Sequence, residues 1–340
     1  MAAGLEKASK ACAAAPANPN SGNRGRFPGV LVDALDDPVW PRAASAATKA
    51  GARSAPVANP EVNALIFRRR LQDALVNRSR PAALRVLPSV FALAALFVLA
   101  AAPPVSAGSL DSFDSATGEP IRGYVAKPEG AGPFPAVVLL HSCLGLPSNR
   151  RAIEAALTHA GYVTLFVDAF GPRGLAETCS VDFPQVVPDA FGALASLAGR
   201  PDVDPRRIAV VGFSQGADGA LAAAASPAGA AHGVADGLAF RAAAAFYPPC
   251  ANEAGRRLAI PTLILAGAAD TVTPAADCRR LAEGQPDARL IVYPGVGHCF
   301  DDPAFAGGKQ ALGMTLRYDA AAARRAMAAL IAFLHENLAR

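Results

Sequence analysis

Residues 207–221 read Arg-Ile-Ala-Val-Val-Gly-Phe-Ser-Gln-Gly-Ala-Asp-Gly-Ala-Leu, and this run constrains the fold more than any other part of the chain. The apolar stretch Ile208–Val211 passes directly into Gly212-Phe213-Ser214-Gln215-Gly216, and an alanine-rich helical stretch follows at once. The order is strand, sharp turn, helix, with Ser214 at the apex. A serine on such a turn needs small flanking residues, because the backbone folds back on itself with no room for side chains. The pattern nominates the Ser214 hydroxyl as a nucleophile. A glycine-rich surface turn with a solvated serine is the plainer alternative, and the immediate strand and helix weigh against it.

The rest of the chain tests that reading through its periodicity. From residue 120 onward, strand and helix patterns alternate. Ile121–Lys127 reads as an edge strand. Pro135–Leu140 is a continuous apolar run of the kind buried on both faces of a sheet. Ser148–Ala160 has helical spacing with Ser148 as its cap. Tyr162–Val167 reads as a second buried strand, Gln185–Ala198 as a helix, Ala242–Phe246 and Thr262–Ala266 as strands. Pro274–Gly284 reads as a helix, Arg289–Tyr293 as a strand and Asp319–Leu338 as a long amphipathic helix. Alternating strands and helices with apolar strands predict an α/β fold: a mostly parallel open sheet with helices on both faces. In such sheets reactive groups gather beyond the carboxyl ends of the strands.

Residues 1–107 differ in kind. They carry 13 Lys and Arg against 6 Asp and Glu, whereas residues 108–340 carry 19 against 22, so the net charge of +4 originates in the leader. A globular part without basic excess gives a nucleic-acid partner no electrostatic support. Residues 1–77 have no sustained period and read as disordered or as a non-native extension. Residues 78–107 combine the basic patch Arg78-Ser-Arg-Pro-Ala-Ala-Leu-Arg85, the apolar stretch Leu87–Ala102 and the small-residue sequence Val105-Ser106-Ala107. That is the form of a secretory signal cleaved after Ala107, which places the product in the periplasm or outside the cell. The rival reading is a membrane anchor, with residues 87–102 retained and the Arg68-Arg69-Arg70 cluster as its cytoplasmic flank. Residues 108–340 suffice for one domain.

Ser214 needs a base. Of five histidines, His159 and His335 fall in predicted helices, His232 in a Gly/Ala loop, and His141 at the end of the first buried strand. His298, in Gly295-Val-Gly-His-Cys-Phe300, lies between the last strand and the last helix. Asp270, in Gly267-Ala-Ala-Asp270, directly follows the strand Thr262–Ala266. The order Ser214, Asp270, His298 is that of an α/β-hydrolase triad. Asp277 sits inside a predicted helix, and Asp301 and Asp302 follow His298 too closely to reach around it. The oxyanion of an acyl-transfer intermediate needs N–H donors. The N–H of Gln215, next to the nucleophile, and that of Cys143, in the loop after Leu140, are the candidates. His141 is expected to brace that loop. None of the six cysteines forms a Cys-x-x-Cys pair, which removes a zinc or thioredoxin-like reading.

These segments resemble the dienelactone hydrolase family of the α/β-hydrolase superfamily over about residues 118–338. The resemblance rests on Leu139-Leu-His141 with Gly145-Leu146, on Val167-Asp168-Ala-Phe-Gly-Pro-Arg173-Gly, on Gly212-Phe-Ser-Gln-Gly216, on Gly267-Ala-Ala-Asp270, and on Tyr293-Pro-Gly-Val-Gly-His298-Cys-Phe-Asp301. It implies hydrolysis of a small ester or lactone by a nucleophile–His–Asp triad without a cofactor or metal. Two positions depart from the family: the nucleophile is Ser214 where the best-known members have cysteine, and Ser142 stands where they carry a glutamate. The serine form points toward a general carboxylesterase rather than a dienelactone hydrolase. Arg173 is a candidate contact for an anionic substrate group, against a plainer role bracing its turn. In that fold Cys143 and Cys179, and Cys250 and Cys278, fall in loops on one face, which gives two expected disulfides and leaves Cys299 free. A non-catalytic extracytoplasmic binding protein, or an acyltransferase or peptidase using the same triad, are the other readings of these residues.

Overall fold

A computed structural model describes residues 108–339. The readings made for residues 1–77 and 78–107 lie outside the described residues. Eight strands form one sheet in the order β1-β2-β4-β3-β5-β6-β7-β8. They are β1 (Ser109–Asp114), β2 (Pro120–Ala126), β3 (Phe134–Leu140), β4 (Val163–Asp168), β5 (Val203–Phe213), β6 (Ala242–Phe246), β7 (Thr262–Gly267) and β8 (Ala288–Tyr293). The pairs β4–β3, β3–β5, β5–β6, β6–β7 and β7–β8 are parallel. Only β1 and β2 run antiparallel to their neighbours. The helices are α1 (Arg150–His159), α2 (Val186–Ala198), α3 (Gln215–Ala225), α4 (Ala275–Ala282) and α5 (Ala320–Leu338), and a small hairpin joins β9 (Lys309–Ala311) to β10 (Met314–Leu316). Among the described residues no helix is long and apolar enough to cross a membrane.

The two-residue period of the strands divides the core into two layers. On one face Val137, Leu139, Ala209, Val211 and Phe213 pack under Ile153 and Leu157 of α1 and Leu330, Phe333 and Leu334 of α5. On the other, Ala136, Val138, Leu140, Ile208 and Val210 meet Phe191 and Leu194 of α2 and Ala220 of α3. Leu221 of α3 and Cys278 of α4 extend that layer over Ala245 and Ile264. A fully buried Leu or Phe contributes roughly 1.5–3 kcal/mol, so these two layers hold the helices onto the two faces of the sheet.

Two expectations need correction. The strand at Ile121–Lys127 is not an edge: β2 lies between β1 and β4. β1 is the edge, and its sequence, Ser-Leu-Asp-Ser-Phe-Asp, has only two apolar residues, three apart, and no two-residue period to stand out. Ser148 does not cap α1, whose N-cap is Asn149 without a side-chain bond. Instead the Ser148 hydroxyl donates to Asp302 and its N–H donates to Asp302 Oδ2 at 3.2 Å. Ser148 lies one residue before the cap position, and both its polar groups face a carboxylate distant in sequence but adjacent in space.

Candidate active site

Ser214 sits at the turn between β5 and α3 with φ 52° and ψ −113°. A non-glycine residue at positive φ is costly and persists only when its surroundings enforce it. Here the enforcement comes from both sides. The Ser214 N–H still belongs to the sheet, donating to the Phe246 carbonyl at 3.0 Å, while its carbonyl already accepts from Ala217 and Asp218 of the helix at 2.9 and 3.0 Å. The flanking glycines supply the space. A Cβ on Gly212 would lie 2.0 Å from the Gly216 carbonyl oxygen, and one on Gly216 would lie 2.3 Å from that of Leu140. The motif is therefore a steric requirement of the turn.

The three residues expected to act together do converge. The Ser214 hydroxyl lies 3.0 Å from His298 Nε2. His298 Nδ1 lies 2.7 Å from Asp270 Oδ2. The carboxylate therefore selects the tautomer with a proton on Nδ1 and leaves Nε2 free to accept from the serine. All three are buried, His298 to 1% exposure. One backbone bond joins the Asp270 and His298 loops, from Ala269 N–H to the Val296 carbonyl at 2.9 Å, and Arg317 N–H, just after β10, holds the His298 carbonyl at 3.0 Å. Burial opposes ionisation of Asp270, but the bond and charge of His298, with N–H donors from Thr273 and Val272, bring its carboxyl below the usual range.

Two residues that the sequence did not single out complete this arrangement. Thr273 donates its N–H to Asp270 Oδ1 at 2.9 Å, and its hydroxyl lies 2.9 Å from Oδ2. Tyr247 packs its ring edge-on to His298 at 4.7 Å between centroids and donates its hydroxyl to Asp301 Oδ1 at 2.6 Å. Thr273 sits in a Thr-Val-Thr-Pro run that reads as a turn, and nothing local distinguishes it. Tyr247, at φ 41°, follows β6.

Cys143 and Gln215 both line the cleft at Ser214, which has a volume of about 440 Å³. Among the described residues neither of their N–H groups has a hydrogen-bond acceptor. His141 has 6% exposure and braces its loop: Nδ1–H donates to the Ser142 carbonyl at 2.7 Å, and Nε2 accepts from Ala169 N–H at 3.3 Å. Burial lowers its pKa, which keeps the ring neutral. Ser142 accepts the Leu144 N–H on its hydroxyl at 3.2 Å. Cys143 is bonded to Cys179, and Cys250 to Cys278, while Cys299 is free and buried.

Arg173 does not serve as a substrate contact. Its guanidinium is held by Asp189 at 2.7 and 2.9 Å, by Glu119 at 2.6 and 3.0 Å and by the Ala169 carbonyl at 2.7 Å. With its donors spent on two carboxylates, it ties the segment after β4 to α2. Among the described residues no Lys or Arg lines the cleft. Asp182 and Asp218 do. Asp218 Oδ2 accepts from Asn252 Nδ2 at 3.1 Å, whereas its buried Oδ1 has no partner among the described residues. Also among the described residues, no group of three or more His, Cys, Asp or Glu side chains forms a metal site.

Known proteins place this geometry in a family. The dienelactone hydrolase family profile matches residues 121–338. A Yersinia pestis protein provisionally named carboxymethylenebutenolidase is 27% identical over 201 residues, 54% of this chain and 75% of its own. Among solved structures, a dienelactone hydrolase-like promiscuous phosphotriesterase from metagenomic libraries superposes with a TM-score of 0.55 at 22% identity, covering 68% of this chain and 99% of that one. The esterase 2 of Thermogutta terrifontis does so with a TM-score of 0.53 at 20% identity, covering 69% of this chain and 95% of its own. The chain thus belongs to the dienelactone hydrolase family within the α/β-hydrolases and is a carboxylic-ester hydrolase.

Proposed function

We propose that the domain hydrolyses small carboxylic esters or lactones through an acyl-enzyme on Ser214. One observation carries this reading above the others: the continuous contact from Ser214 Oγ to His298 Nε2 at 3.0 Å and from His298 Nδ1 to Asp270 Oδ2 at 2.7 Å. Ser214 attacks the ester carbonyl as His298 takes its proton, and Asp270 stabilises the imidazolium. The N–H groups of Gln215 and Cys143 receive the negative charge that develops on the carbonyl oxygen. His298 then returns the proton to the leaving alcohol, and water, activated by the same imidazole, releases the acid. Replacement of Ser214 by Ala is expected to abolish turnover of 4-nitrophenyl acetate and labelling by a fluorophosphonate. Substantial retained turnover would refute the assignment.

The preferred substrates on this proposal are uncharged or carry a hydrogen-bond donor, and carboxylate-bearing lactones are poor ones. The support is electrostatic. The one arginine that the sequence offered to an anionic group is consumed by Asp189 and Glu119, and among the described residues the cleft presents Asp182 and Asp218 without a basic side chain.

The same proposal puts the domain outside the cytoplasm, with residues 78–107 as its export signal. Two disulfides fit an oxidising compartment. N-terminal sequencing of the protein recovered from expressing cells tests this. A start just after Ala107 is expected, and recovery of peptides from residues 1–70 would overturn it.

A further inference from the structure

The two proposed oxyanion donors belong to elements of different stiffness. Gln215 is the first residue of α3 and is fixed by the helix. Cys143 lies in the loop 141–146, whose own support is the Ser142–Gly145 bridge and the His141 contacts. Two donors stabilise an oxyanion only when both are held at hydrogen-bond distance from one point. Something must therefore fix the loop relative to the helix.

One residue touches both. Thr178, with 2% exposure, lies in the segment between β4 and α2. Its N–H donates to the Cys143 carbonyl at 2.9 Å. Its hydroxyl donates to Gln215 Oε1 at 2.9 Å. The next residue, Cys179, is bonded to Cys143, and its own N–H is held by Glu177 Oε2 at 2.6 Å. Cys143 is thus held at its side chain by the disulfide and at its carbonyl by Thr178.

We propose that Thr178 is a positioning residue for the oxyanion site: with the Cys143–Cys179 disulfide it forms a strut that fixes the Cys143 loop against the first turn of α3. The inference rests on the acyl-enzyme reading above. Thr178 touches no reacting atom, and its effect passes through the Cys143 peptide. The strut follows from a juxtaposition invisible in sequence, since Thr178 lies far along the chain from both Cys143 and Gln215. It also couples the chemistry to the oxidation state of one cysteine pair.

The test uses the full chain and three variants: Thr178→Val, which keeps the shape and the N–H but loses the hydroxyl, Thr178→Ser, which restores it, and Cys179→Ser, which removes the covalent arm. Steady-state turnover of 4-nitrophenyl acetate is measured with inhibition by phenylboronic acid, which forms a tetrahedral adduct on a reactive serine. Thr178→Val is expected to lower kcat about tenfold with KM within about twofold, and to weaken phenylboronic acid by a similar factor, a fraction of the loss seen when a donor is deleted outright. Thr178→Ser is expected to stay within about threefold of the parent, and Cys179→Ser to shift kcat and boronate inhibition in the same direction as Thr178→Val. Parental kcat and boronate inhibition in Thr178→Val would overturn the strut, as would a loss confined to KM or one that Thr178→Ser fails to restore. Should Thr178→Val not fold, the Cys179→Ser measurement decides the same question. A parent protein that takes no fluorophosphonate label refutes the acyl-enzyme reading itself, a result separable from every outcome for the strut.

Discussion

Thr273 closes the outer side of the Asp270 carboxylate, with its N–H 2.9 Å from Oδ1 and its hydroxyl 2.9 Å from Oδ2. The same hydroxyl lies 3.1 Å from the Tyr247 carbonyl and 3.2 Å from His298 Nδ1. Asp270 can orient His298 only if it does not itself rotate, and Thr273, together with the Val272 N–H 2.8 Å from Oδ1, prevents rotation. Replacing Thr273 by Val keeps the shape and the N–H bond but removes the hydroxyl. We expect kcat to fall about tenfold, the worth of roughly one hydrogen bond of about 1.4 kcal/mol. Steady-state kinetics with 4-nitrophenyl acetate check this, and unchanged kcat would assign Thr273 a packing role alone.

The charge of the cleft gives a second prediction. The 4-nitrophenyl monoester of succinic acid shares its leaving group with 4-nitrophenyl acetate but places a carboxylate near Asp182 and Asp218. Like charges several ångströms apart in a partly shielded cleft repel by about 1–2 kcal/mol. The anionic ester is therefore expected to show kcat/KM lower by about tenfold, and Asp218→Asn to recover part of the loss. Equal rates for the two esters would remove the electrostatic argument.

Asp301 gives a prediction on stability. Burial raises its pKa to about 6, with the neighbouring charge of Asp302 adding to the rise and the bond from Tyr247 opposing it. In the unfolded chain it titrates at about 4. Between those values the folded state binds more protons than the unfolded one, so Asp301 makes stability fall as pH rises from about 4 to about 6, with no further change above. Asn at this position still accepts the Tyr247 hydroxyl and carries no charge. Asp301→Asn is expected to exceed the parent in stability at pH 7.5, by on the order of 2 kcal/mol, and to lose most of that advantage at pH 4. Urea denaturation at the two pH values measures it. Asp270, whose pKa is lowered, contributes the opposite slope at lower pH in both proteins.

The Cys250–Cys278 bond closes a separation of 28 residues and joins the segment after β6 to α4. Constraint of the unfolded chain by a loop of that size is worth about 3–4 kcal/mol. The double variant Cys250→Ser, Cys278→Ser is expected to unfold at a correspondingly lower urea concentration. A midpoint within error of the parent's would show that the α4 packing alone holds this corner.

Much of the architecture could be read before any coordinates. Apolar runs such as Pro135–Leu140 identified the buried strands because a strand covered on both faces has no polar side. The turn at Ser214 was legible because Gly212 and Gly216 are demanded by backbone contacts of 2.0 and 2.3 Å, a constraint that acts within a few residues. The exposed edge strand β1 was missed, since six residues of mixed character bury too little to leave a pattern. Ser148 and Arg173 were legible only as residue types. Their partners, Asp302 in one case and Asp189 with Glu119 in the other, lie far away in sequence.

By itself, then, the sequence determined the succession of the buried strands and the helices, the turn that presents Ser214, and the order in which Ser214, Asp270 and His298 occur. These depend on local sterics and on the period of apolar residues, which neighbouring positions encode. Only the tertiary structure decided which charges meet, that Thr273 and Tyr247 enclose the Asp270–His298 pair, and that Thr178 touches both Cys143 and Gln215. Such contacts depend on where packing of the two core layers brings distant loops together, and no local pattern along the chain records that distance.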